Sequence, residues 1–559
     1  MTALDWLVLV GSVAFIAIYG TVRNARVSTA QDYLKGGDLR WPTIGLSIMA
    51  TQASAVTFLS VPGQAYEDGM RFVQFYFGLP LAMVIISAVF VPMYYRMRVF
   101  TAYEYLEQRF DVRVRVLAAL LFMMGRGLAA GISLYAPAII LSALLGWSLN
   151  AMNVLIGAVV ILYTVTGGAK AVSQTQKQQM VVILAGILVA AVVIAANLPV
   201  SVADATTLAG ALGRMEIIDL SLDPNSRYTL WSGLTGGLFL SLSYFGTDQS
   251  QVQRYIGGRS LTESRLGLLF NGLFKIPMQA LILFIGVLMF AFYLFEKPPV
   301  FFNEPTLEAV RQTEHADELA ALEARWDEAF EARRAQAEAL ARADTPEARA
   351  GLQAAQAEMD GLRDEAKALI RQAVPTAELQ DGDYIFLSFV LAWMPPGLVG
   401  LLVAVILMAA MSSTSSELSA LGSTSVVDLY KRLVRPDADE AHTVRMSKLF
   451  TVSWGLVAVA FATFAALLDN LIEAVNILGS IFYGVILGIF LLALFFRRVR
   501  ATPALLAAIV GQVAVVGLFL ASDIGFLWFN LIGCALVVGL ALCFQAVGGA
   551  LRQLKGDTP

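Results

Sequence analysis

Five hydroxyl side chains stand in succession at 412–416, inside an apolar stretch of membrane-spanning length. Hydroxyl and backbone carbonyl oxygens are the groups that a small hard cation such as Na⁺ accepts in place of water. Serine and threonine in a membrane helix also bond to the carbonyl one turn earlier or join neighbouring helices. The octet 409–416 is therefore a candidate cation site, with helix packing as the alternative.

The composition places these hydroxyls in a membrane. Hydrophobic residues make up 58 % of the chain, charged residues make up 15 %, and the mean hydropathy is +0.69, outside the range of soluble proteins. About thirteen apolar stretches are long enough to cross about 30 Å of hydrocarbon. They lie near 3–22, 41–61, 72–96, 114–146, 149–166, 178–199, 229–255, 264–296, 384–416, 444–468, 471–496, 502–521 and 525–548. This pattern predicts an all-α integral membrane protein.

The basic residues predict the orientation of these spans. Most Lys and Arg residues fall in alternate loops, whereas the short loops of the opposite side carry only Arg71, Arg214 and Arg227. Cytoplasmic loops are the basic ones. We expect the N-terminus outside and the C-terminus in the cytoplasm, across the plasma membrane.

The sequence lacks the residues that several other functions require. Cys534 and Cys543 are more than two turns apart in the last span, too far along the helix axis for a bridge. His315 and His442 fall in loops, and the sequence contains neither a Gly-rich phosphate loop nor a recognisable nucleophile–base pair. Basic and aromatic residues do not interleave. The sequence therefore argues against an enzyme, an ATP-driven pump and a nucleic-acid partner.

One polar segment, 303–383, interrupts the apolar pattern on the side predicted to face out. Its apolar residues recur at helical spacing. They are Leu307, Val310, Leu319, Leu322, Trp326, Phe330, Leu352, Met359, Leu362 and Leu369. Asp344-Thr345-Pro346-Glu347 indicates a helix end followed by a new start. We predict an antiparallel helical hairpin of coiled-coil type. We expect it to be a solvated insertion, and the alternative is that it serves as a lid or as a binding site for an accessory partner.

The hairpin divides the chain into four predicted parts, namely 1–302, 303–383, 384–548 and a cytoplasmic tail, 549–559.

Two spans outside the hairpin are unusually polar at mid-depth. The second contains Gln52, Ser54 and Thr57 among small residues, and the seventh is interrupted over 241–250. Irregular backbone at this depth is tolerated only where it lines a cavity. Interrupted helices five spans apart predict two inverted five-helix halves with a binding site at the midplane.

Several ordered segments resemble the sodium:solute symporter family, most closely its branch of iodide, multivitamin and monocarboxylate carriers. The segments are 48–69, Thr101-Ala-Tyr-Glu-Tyr-Leu-Glu-Gln-Arg-Phe110, Tyr135-Ala-Pro-Ala-Ile-Ile-Leu141, Tyr163-Thr-Val-Thr-Gly-Gly-Ala-Lys-Ala-Val172, and Ser412-Ser413 followed by Asp428-Leu-Tyr-Lys431. They cover about 1–300 and 384–500. The resemblance implies a leucine-transporter-type fold and sodium-coupled transport of a small solute.

The resemblance also implies a sodium site made by carbonyls of the first core helix and by carbonyl and hydroxyl oxygens of the eighth. The matching positions are Ala50, Ala53, Ala409, Ser412 and Ser413. Ala409 and Ser413 stand one turn apart on one helical face. Because these ligands carry no formal charge, they suit an ion that is released in every cycle.

Some members of the family hold a second sodium, using serines one turn further on and an acid in the fifth core helix. Ser412, Ser415 and Ser416 match the serines, but the position of the acid is Gln176. A neutral amide supplies an oxygen without the charge. We therefore expect one Na⁺ per cycle.

The solute site is expected beside this ion, among polar residues at mid-depth. The candidates are Gln52, Ser54, Thr57, Arg126, Tyr244, Asp248 and Gln249. An arginine within the membrane suits a carboxylate because of its planar fork, and sialic acid carriers are similar in using an arginine on that helix. The alternative role of Arg126 is an ion pair with Asp248 or Glu473.

The sequence thus predicts a sodium-coupled symporter that imports a small organic solute. We expect a carboxylated solute, with a sugar or polyol as the alternative. A transport-deficient sensor with the same fold is a further alternative, although the segment after Gly548 is short for a signalling domain. The expected partners are sodium, the solute and membrane lipid. A passive channel would not need two interrupted helices.

Overall fold

The computed structural model describes residues 1–24, 33–375, 377, 379–464 and 471–554, and these residues are mostly helical. They contain no strand, and one isolated bridge joins Leu39 and Gly258. The predicted all-α fold is confirmed. The last residues of the predicted tail, 555–559, lie outside the described part.

The helices before the polar segment are α1 (Ala3–Asn24), α2 (Trp41–Gln52), α3 (Ala55–Asp68), α4 (Leu79–Ile85), α5 (Val91–Met97), α6 (Glu104–Arg109), α7 (Val112–Leu145), α8 (Leu149–Asn197), α9 (Val202–Ala211), α10 (Gly237–Thr247), α11 (Gln249–Ile256) and α12 (Leu261–Phe292). The polar segment contains α13 (Glu304–Arg311), α14 (Ala316–Arg342) and α15 (Pro346–Ala373). The remaining helices are α16 (Gly382–Trp393), α17 (Leu398–Thr424), α18 (Glu440–Ala462), α19 (Leu471–Phe495), α20 (Ala501–Ala521) and α21 (Leu527–Leu554).

Within the described residues, 9 helical stretches are long and apolar enough to cross a membrane. This number is smaller than the predicted one because Ala55–Met97 and Leu149–Asn197 each contain parts of two predicted spans. The two halves of Leu149–Asn197 meet at Gly168, where φ is 61°. The seventh predicted span is broken at Asp248, and the first is represented by a shorter apolar run, Ala3–Ser12. The chain is a multi-pass membrane protein.

The boundaries of the ninth span differ from the prediction, 384–416. α16 ends at Trp393 and α17 begins at Leu398. Pro395 and Pro396 between them lack backbone N–H donors, and Gly397 adopts a φ of 89°. α17 then continues to Thr424, so the hydroxyl octet lies in the middle of this helix.

α17 is the central helix of the membrane part. In Leu398–Val434, 83 % of the most apolar window is buried inside the protein, whereas 28 % of the corresponding window in α20 is buried. It packs against α1, α7, α8 and α18. Every hydroxyl-bearing residue of the octet is buried there, so these oxygens are shielded from lipid.

One buried carboxylate attaches α1 to the start of α17. Asp5 Oδ1 accepts hydrogen bonds from Gly397 N at 2.6 Å and from Gly400 N at 3.1 Å. A carboxylate at a helix N-terminus satisfies donors that the helix cannot. A Cβ atom at position 400 would lie 2.1 Å from the Asp5 carbonyl oxygen, so only glycine fits this approach.

The polar segment forms the predicted antiparallel hairpin. α14 and α15 pack against each other, and Thr345 caps α15 by accepting from Ala348 N at 3.2 Å, with Pro346 in the first turn. Every apolar residue that predicted the hairpin is buried. The helical period and the cap therefore specify this element locally.

Two arginines attach the hairpin to membrane helices. Arg333 donates through Nη2 to the carbonyl of Tyr293, just after α12, at 2.7 Å. Arg363 pairs with the buried Asp381 at 2.6 Å and lies 3.6 Å from Glu67, near the end of α3. Both helices of the hairpin thus contact the ends of membrane helices.

The described core contains two broken helices. α2 and α3 separate at Ala53 and Ser54, and α10 and α11 separate at Asp248. The second half of the first broken helix is closely packed, because a Cβ atom at Gly63 would lie 2.0 Å from the carbonyl oxygen of Gly382. These two breaks position the candidate site.

Candidate functional site

The break between α2 and α3 frees backbone oxygens inside the protein. Ala53 (φ −85°, ψ 77°) and Ser54 (φ −79°, ψ 173°) leave the helical region. In an unbroken helix the Ala50 carbonyl would accept from the N–H of Ser54. Instead, Ser412 Oγ of α17 donates to this carbonyl at 2.8 Å. The break thus gives α17 access to a carbonyl that a continuous helix would occupy.

The predicted sodium ligands surround this contact. Ser412 Oγ lies 2.9 Å from the Ala409 carbonyl oxygen, and Ser413 Oγ donates to the same oxygen at 3.1 Å. These residues and Ala50 are buried, and Ala53 is buried at the break itself. A hydroxyl that donates to a carbonyl in one state can rotate and offer its lone pairs to a cation in another. The arrangement therefore suits a small hard cation.

Gln176 occupies the position considered for a second ion. Its Nε2, which carries two N–H donors, lies within hydrogen-bond distance of three oxygens, namely Thr51 Oγ1 at 3.1 Å, Ser412 O at 2.8 Å and Ser416 Oγ at 2.6 Å. A carbonyl can only accept, so the amide nitrogen rather than the amide oxygen faces Ser412. Ser415 bonds back to the same carbonyl at 3.1 Å. A hydrogen-bond donor thus stands among the oxygens that would otherwise surround a cation.

A cavity lies beside the first break, and its empty volume, counted together with the open solvent at its mouth, is about 710 Å³. The predicted solute residues that line it are Gln52, Ser54, Thr57, Arg126 and Tyr244. The sequence did not indicate several other lining residues, among them Phe75, Tyr76, Phe245, Asn476 and Tyr483. A largely apolar and aromatic wall with a few polar groups is typical of a site for a small organic molecule.

Two predicted solute residues do not line the cavity. Gln249 accepts from Ala102 N at 3.0 Å and donates to Phe100 O at 2.9 Å. Asp248 lies at the second break, where its side chain accepts from Ser250 N at 2.8 Å and caps α11. Both side chains therefore hold the second broken helix in place.

Arg126 borders the cavity, but its guanidinium is already engaged. Nε and Nη2 donate to Asp248 Oδ2 at 3.0 and 2.5 Å, and Nη1 donates to Glu417 Oε1 at 3.0 Å. Arg126 therefore forms an ion pair with Asp248, the first of the two partners considered from the sequence. The other predicted partner, Glu473, pairs instead with Arg227 at 2.7 Å.

Glu417 is a site residue that the sequence interpretation missed. It directly follows the hydroxyl octet and is 4 % exposed. An acid at membrane depth is itself a signal of function. The sequence-based prediction does not include Glu417, because the predicted ninth span ends at residue 416.

Three polar atoms at or beside the cavity have no hydrogen-bond partner among the described residues. Gln52 Oε1 and Asn476 Nδ2, an acceptor and a donor, belong to lining residues. Lys275 Nζ is fully buried and lies 5.6 Å from the ring centroid of Tyr76, which lines the cavity. Unsatisfied buried polar groups are costly, so these atoms are candidates for contact with a bound solute.

Comparisons with known proteins support the predicted family. A model of the sodium:solute symporter family matches residues 33–323 and 359–511, so the unmatched interval lies in the hairpin. The sodium/iodide cotransporter of Homo sapiens is 38 % identical over 279 residues, which cover 49 % of this chain and 42 % of that protein. The chain thus spans less than half of the length of this relative. Sodium-coupled monocarboxylate and multivitamin transporters also match.

Two further matches cover nearly the whole chain. The sodium/sialic acid symporter of Proteus mirabilis is 26 % identical over an alignment of 568 positions, which covers 99 % of this chain and 97 % of that protein. A substrate-bound, outward-open structure of a Na⁺-coupled sialic acid symporter aligns with 98 % of each chain, with a TM-score of 0.76 and 23 % identity. At this identity the structural match concerns the fold.

Discontinuous membrane helices beside a solute-sized cavity define the class of ion-coupled secondary transporters. Within that class, the chain belongs to the sodium:solute symporter family. The relatives described above are named as sodium-dependent transporters, and the match to the family model confirms the predicted family.

Proposed function

We propose that this protein is a sodium-coupled symporter that imports a small organic solute by alternating access. The observation that carries the proposal is the first broken helix. Its freed Ala50 carbonyl meets Ser412 of α17, while Gln52 and Ser54 line the adjacent cavity. Ala53, a predicted sodium ligand, lies between these two residues in the chain. Sodium bound there would fix the backbone that shapes the solute site, which couples the two ligands.

The principal ion site consists of the carbonyls of Ala50, Ala53 and Ala409 and the hydroxyls of Ser412 and Ser413. We propose a stoichiometry of one sodium per cycle, because Gln176 places an amide donor among the oxygens of the second position. A donor N–H group and a cation exclude each other at such a position.

The charges beside the cavity support an anionic solute. Arg126 forms ion pairs with Asp248 and Glu417, and Lys275 beside Tyr76 is a further buried cation, so these four buried residues carry two positive and two negative formal charges. Sodium adds a positive charge to this balanced group. A solute with one carboxylate would make the loaded site neutral, which lowers the cost of enclosing it in a low-dielectric interior.

A neutral sugar or polyol is the second candidate. The free acceptor of Gln52 and the free donor of Asn476 match hydroxyl groups, which both accept and donate. In that case Arg126 serves as a purely structural ion pair, and the solute leaves the charge balance unchanged.

Uptake into proteoliposomes tests the proposal. Purified protein is reconstituted, and a library of labelled metabolites is offered with and without an inward sodium gradient. We expect at least one small carboxylate to accumulate only with the gradient. Equal accumulation of that solute without sodium, or no sodium-dependent uptake of any compound, would contradict sodium-coupled import.

A matched pair of competitors separates the two solute classes. Propionate and propionamide have nearly the same size but differ in charge. We expect propionate to inhibit labelled uptake about ten- to hundredfold better, the effect of losing one charge-assisted hydrogen bond. Equal inhibition by the two compounds would favour the neutral solute. Arg126→Lys does not discriminate, because lysine loses the fork that holds Asp248 and Glu417 in either case.

We further propose that the hairpin lies outside the cell, with the N-terminus outside and the C-terminus in the cytoplasm of the plasma membrane. The distribution of basic residues supports this orientation. We also propose the division into 1–302, 303–383, 384–548 and 549–559, which rests on the polar composition of 303–383. The hairpin then stands on the side from which the solute enters.

Excision of the hairpin tests whether it takes part in transport. Removing about 305–375 and closing the gap with a short Gly/Ser linker should leave solute affinity and turnover within about twofold of wild type, because surface insertions are commonly tolerated. Asp381 would lose Arg363, so the matched variant also carries Asp381→Asn. If a deleted protein that still folds and inserts has lost uptake, the hairpin is a lid or the site of an accessory partner.

A further inference from the structure

A second cavity lies between the hairpin and the ends of the membrane helices, and its empty volume, counted together with the open solvent at its mouth, is about 900 Å³. Tyr66 and Glu67 near the end of α3 line it, as do Arg333 and Arg363 of the hairpin and Arg214 of the loop after α9. It shares no lining residue with the central cavity. It is therefore a separate space, and none of the assigned solute or sodium residues belongs to it.

Arg333 is a buried cation that lacks a complete set of partners. Its side chain donates to Gln356 Oε1 at 2.9 Å and to the Tyr293 carbonyl at 2.7 Å, and it is 3 % exposed. Its Nε has no hydrogen-bond partner, and no carboxylate of the described residues forms an ion pair with it. Burial lowers the pKa of Arg333 despite the nearby Tyr66 and Asp360. The guanidinium thus retains an N–H donor and an unneutralised charge.

Arg214 repeats this pattern on the opposite wall. Its guanidinium lies over the ring of Phe290, 5.0 Å from the centroid. Its Nε is buried and also has no hydrogen-bond partner in the described chain. Its backbone is fixed, because the Arg214 carbonyl accepts from Met70 N at 3.0 Å. Two arginines without a carboxylate partner among the described residues therefore line one cavity.

The acids of the same cavity have partners or lie at its rim. Glu67 lies 3.6 Å from Arg363, which also pairs with Asp381. Asp360 accepts from Gln356 Nε2 at 2.8 Å and is exposed. Two further lining acids, Asp68 and Asp364, are likewise exposed. The arginines of the cavity are therefore buried or half-buried, whereas three of its acids lie at the opening, beside the half-buried Lys367.

We propose that this cavity binds a small organic carboxylate, with the guanidinium groups of Arg333 and Arg214 as the cations that attract it. Carboxylates are the groups that arginine N–H donors bind best. The acidic rim favours a ligand whose other end is positive, such as a simple amino acid. The site is independent of the central cavity and of the proposed transport.

Trp326 provides a local reporter, because it lines the cavity and is 4 % exposed. Full-length protein in sodium-free buffer is titrated with glycine or with potassium acetate, and tryptophan fluorescence is recorded for wild type and Trp326→Phe. We expect saturable changes that disappear in Trp326→Phe, with tighter binding of glycine than of acetate. Arg333→Gln and Arg214→Gln should each raise the dissociation constant about ten- to hundredfold.

Arg325→Gln is the matched control, because Arg325 lies on the same helix but pairs with Glu365 at the surface at 2.6 Å. It should bind glycine like wild type. Arg214→Gln keeps the test decisive if Arg333→Gln misfolds, since Arg214 does not hold the hairpin. The proposal is overturned if neither probe binds, if Arg214→Gln binds both like wild type, or if Arg325→Gln weakens binding equally.

Discussion

Ser412→Ala is expected to raise the sodium concentration that half-saturates uptake by about ten- to hundredfold. The removed hydroxyl joins α17 to the freed Ala50 carbonyl at 2.8 Å and is a proposed ligand of the ion. One hydrogen bond to a charged group contributes about 1.5–3 kcal/mol, and each 1.4 kcal/mol is about a factor of ten in affinity. Ser413→Ala removes the neighbouring ligand, so the double variant should lose nearly all sodium dependence.

Thr414→Val is the matched control for these variants. Thr414 is the next residue of the same helix, is fully buried, and has a hydroxyl without a hydrogen-bond partner among the described residues. Uptake is measured while sodium is replaced by choline, and folding is monitored in sodium-free buffer. Thr414→Val should behave like wild type. Wild-type sodium dependence in the double serine variant would remove both hydroxyls from the ion site.

Gln176→Glu is expected to create a second sodium site. The change is nearly isosteric and replaces an amide donor with a carboxylate oxygen. That oxygen would face Thr51, Ser412 and Ser416, while Ser47 already bonds to the other side-chain oxygen at 2.5 Å. An anion among several neutral oxygens attracts a cation. The Hill coefficient for sodium should rise from about one toward two, since it is bounded by the number of coupled sites.

Gln179→Glu provides the comparison, because Gln179 lies on the same helix and is also fully buried, but its amide makes no hydrogen bond to the described residues. It introduces the same charge without the surrounding oxygens and should not add a sodium ion. The stoichiometry is measured as the ratio of labelled sodium to labelled solute taken up. A wild-type ratio of about two, or an unchanged ratio in folded Gln176→Glu, would show that Gln176 does not set the number of ions.

Elements specified by local chemistry were predictable from the sequence. The hairpin follows from helical spacing and from Thr345 before Pro346, and each of these signals acts within a few residues. The first break follows from polar and small residues at mid-depth, which a lipid-facing helix does not tolerate. The resemblance to a family then linked Ala50 on one helix to Ser412 on another.

Features that depend on tertiary contacts were not predictable in the same way. Residues 394–397 contain a Pro-Pro-Gly signal for a helix break, but the averaged apolar character of the stretch concealed it and left Glu417 outside the predicted span. The contact of Gln249 with the backbone at Phe100 and Ala102 depends on the packing of segments far apart in sequence. The partner of Arg126 required the same long-range information.

The bond between Asp5 and α17 has a consequence for how the protein is made. Asp5 and Gly400 are 395 residues apart, and ribosomes add about 5–20 residues per second. The acid of α1 is therefore synthesised about 20–80 seconds before the amides that hold it in the finished protein. In the meantime Thr2, which donates to Asp5 through its N–H and hydroxyl groups at 2.7 Å, is a local partner for this carboxylate. α1 is thus inserted into the membrane early but locked in place only after most of the chain has emerged.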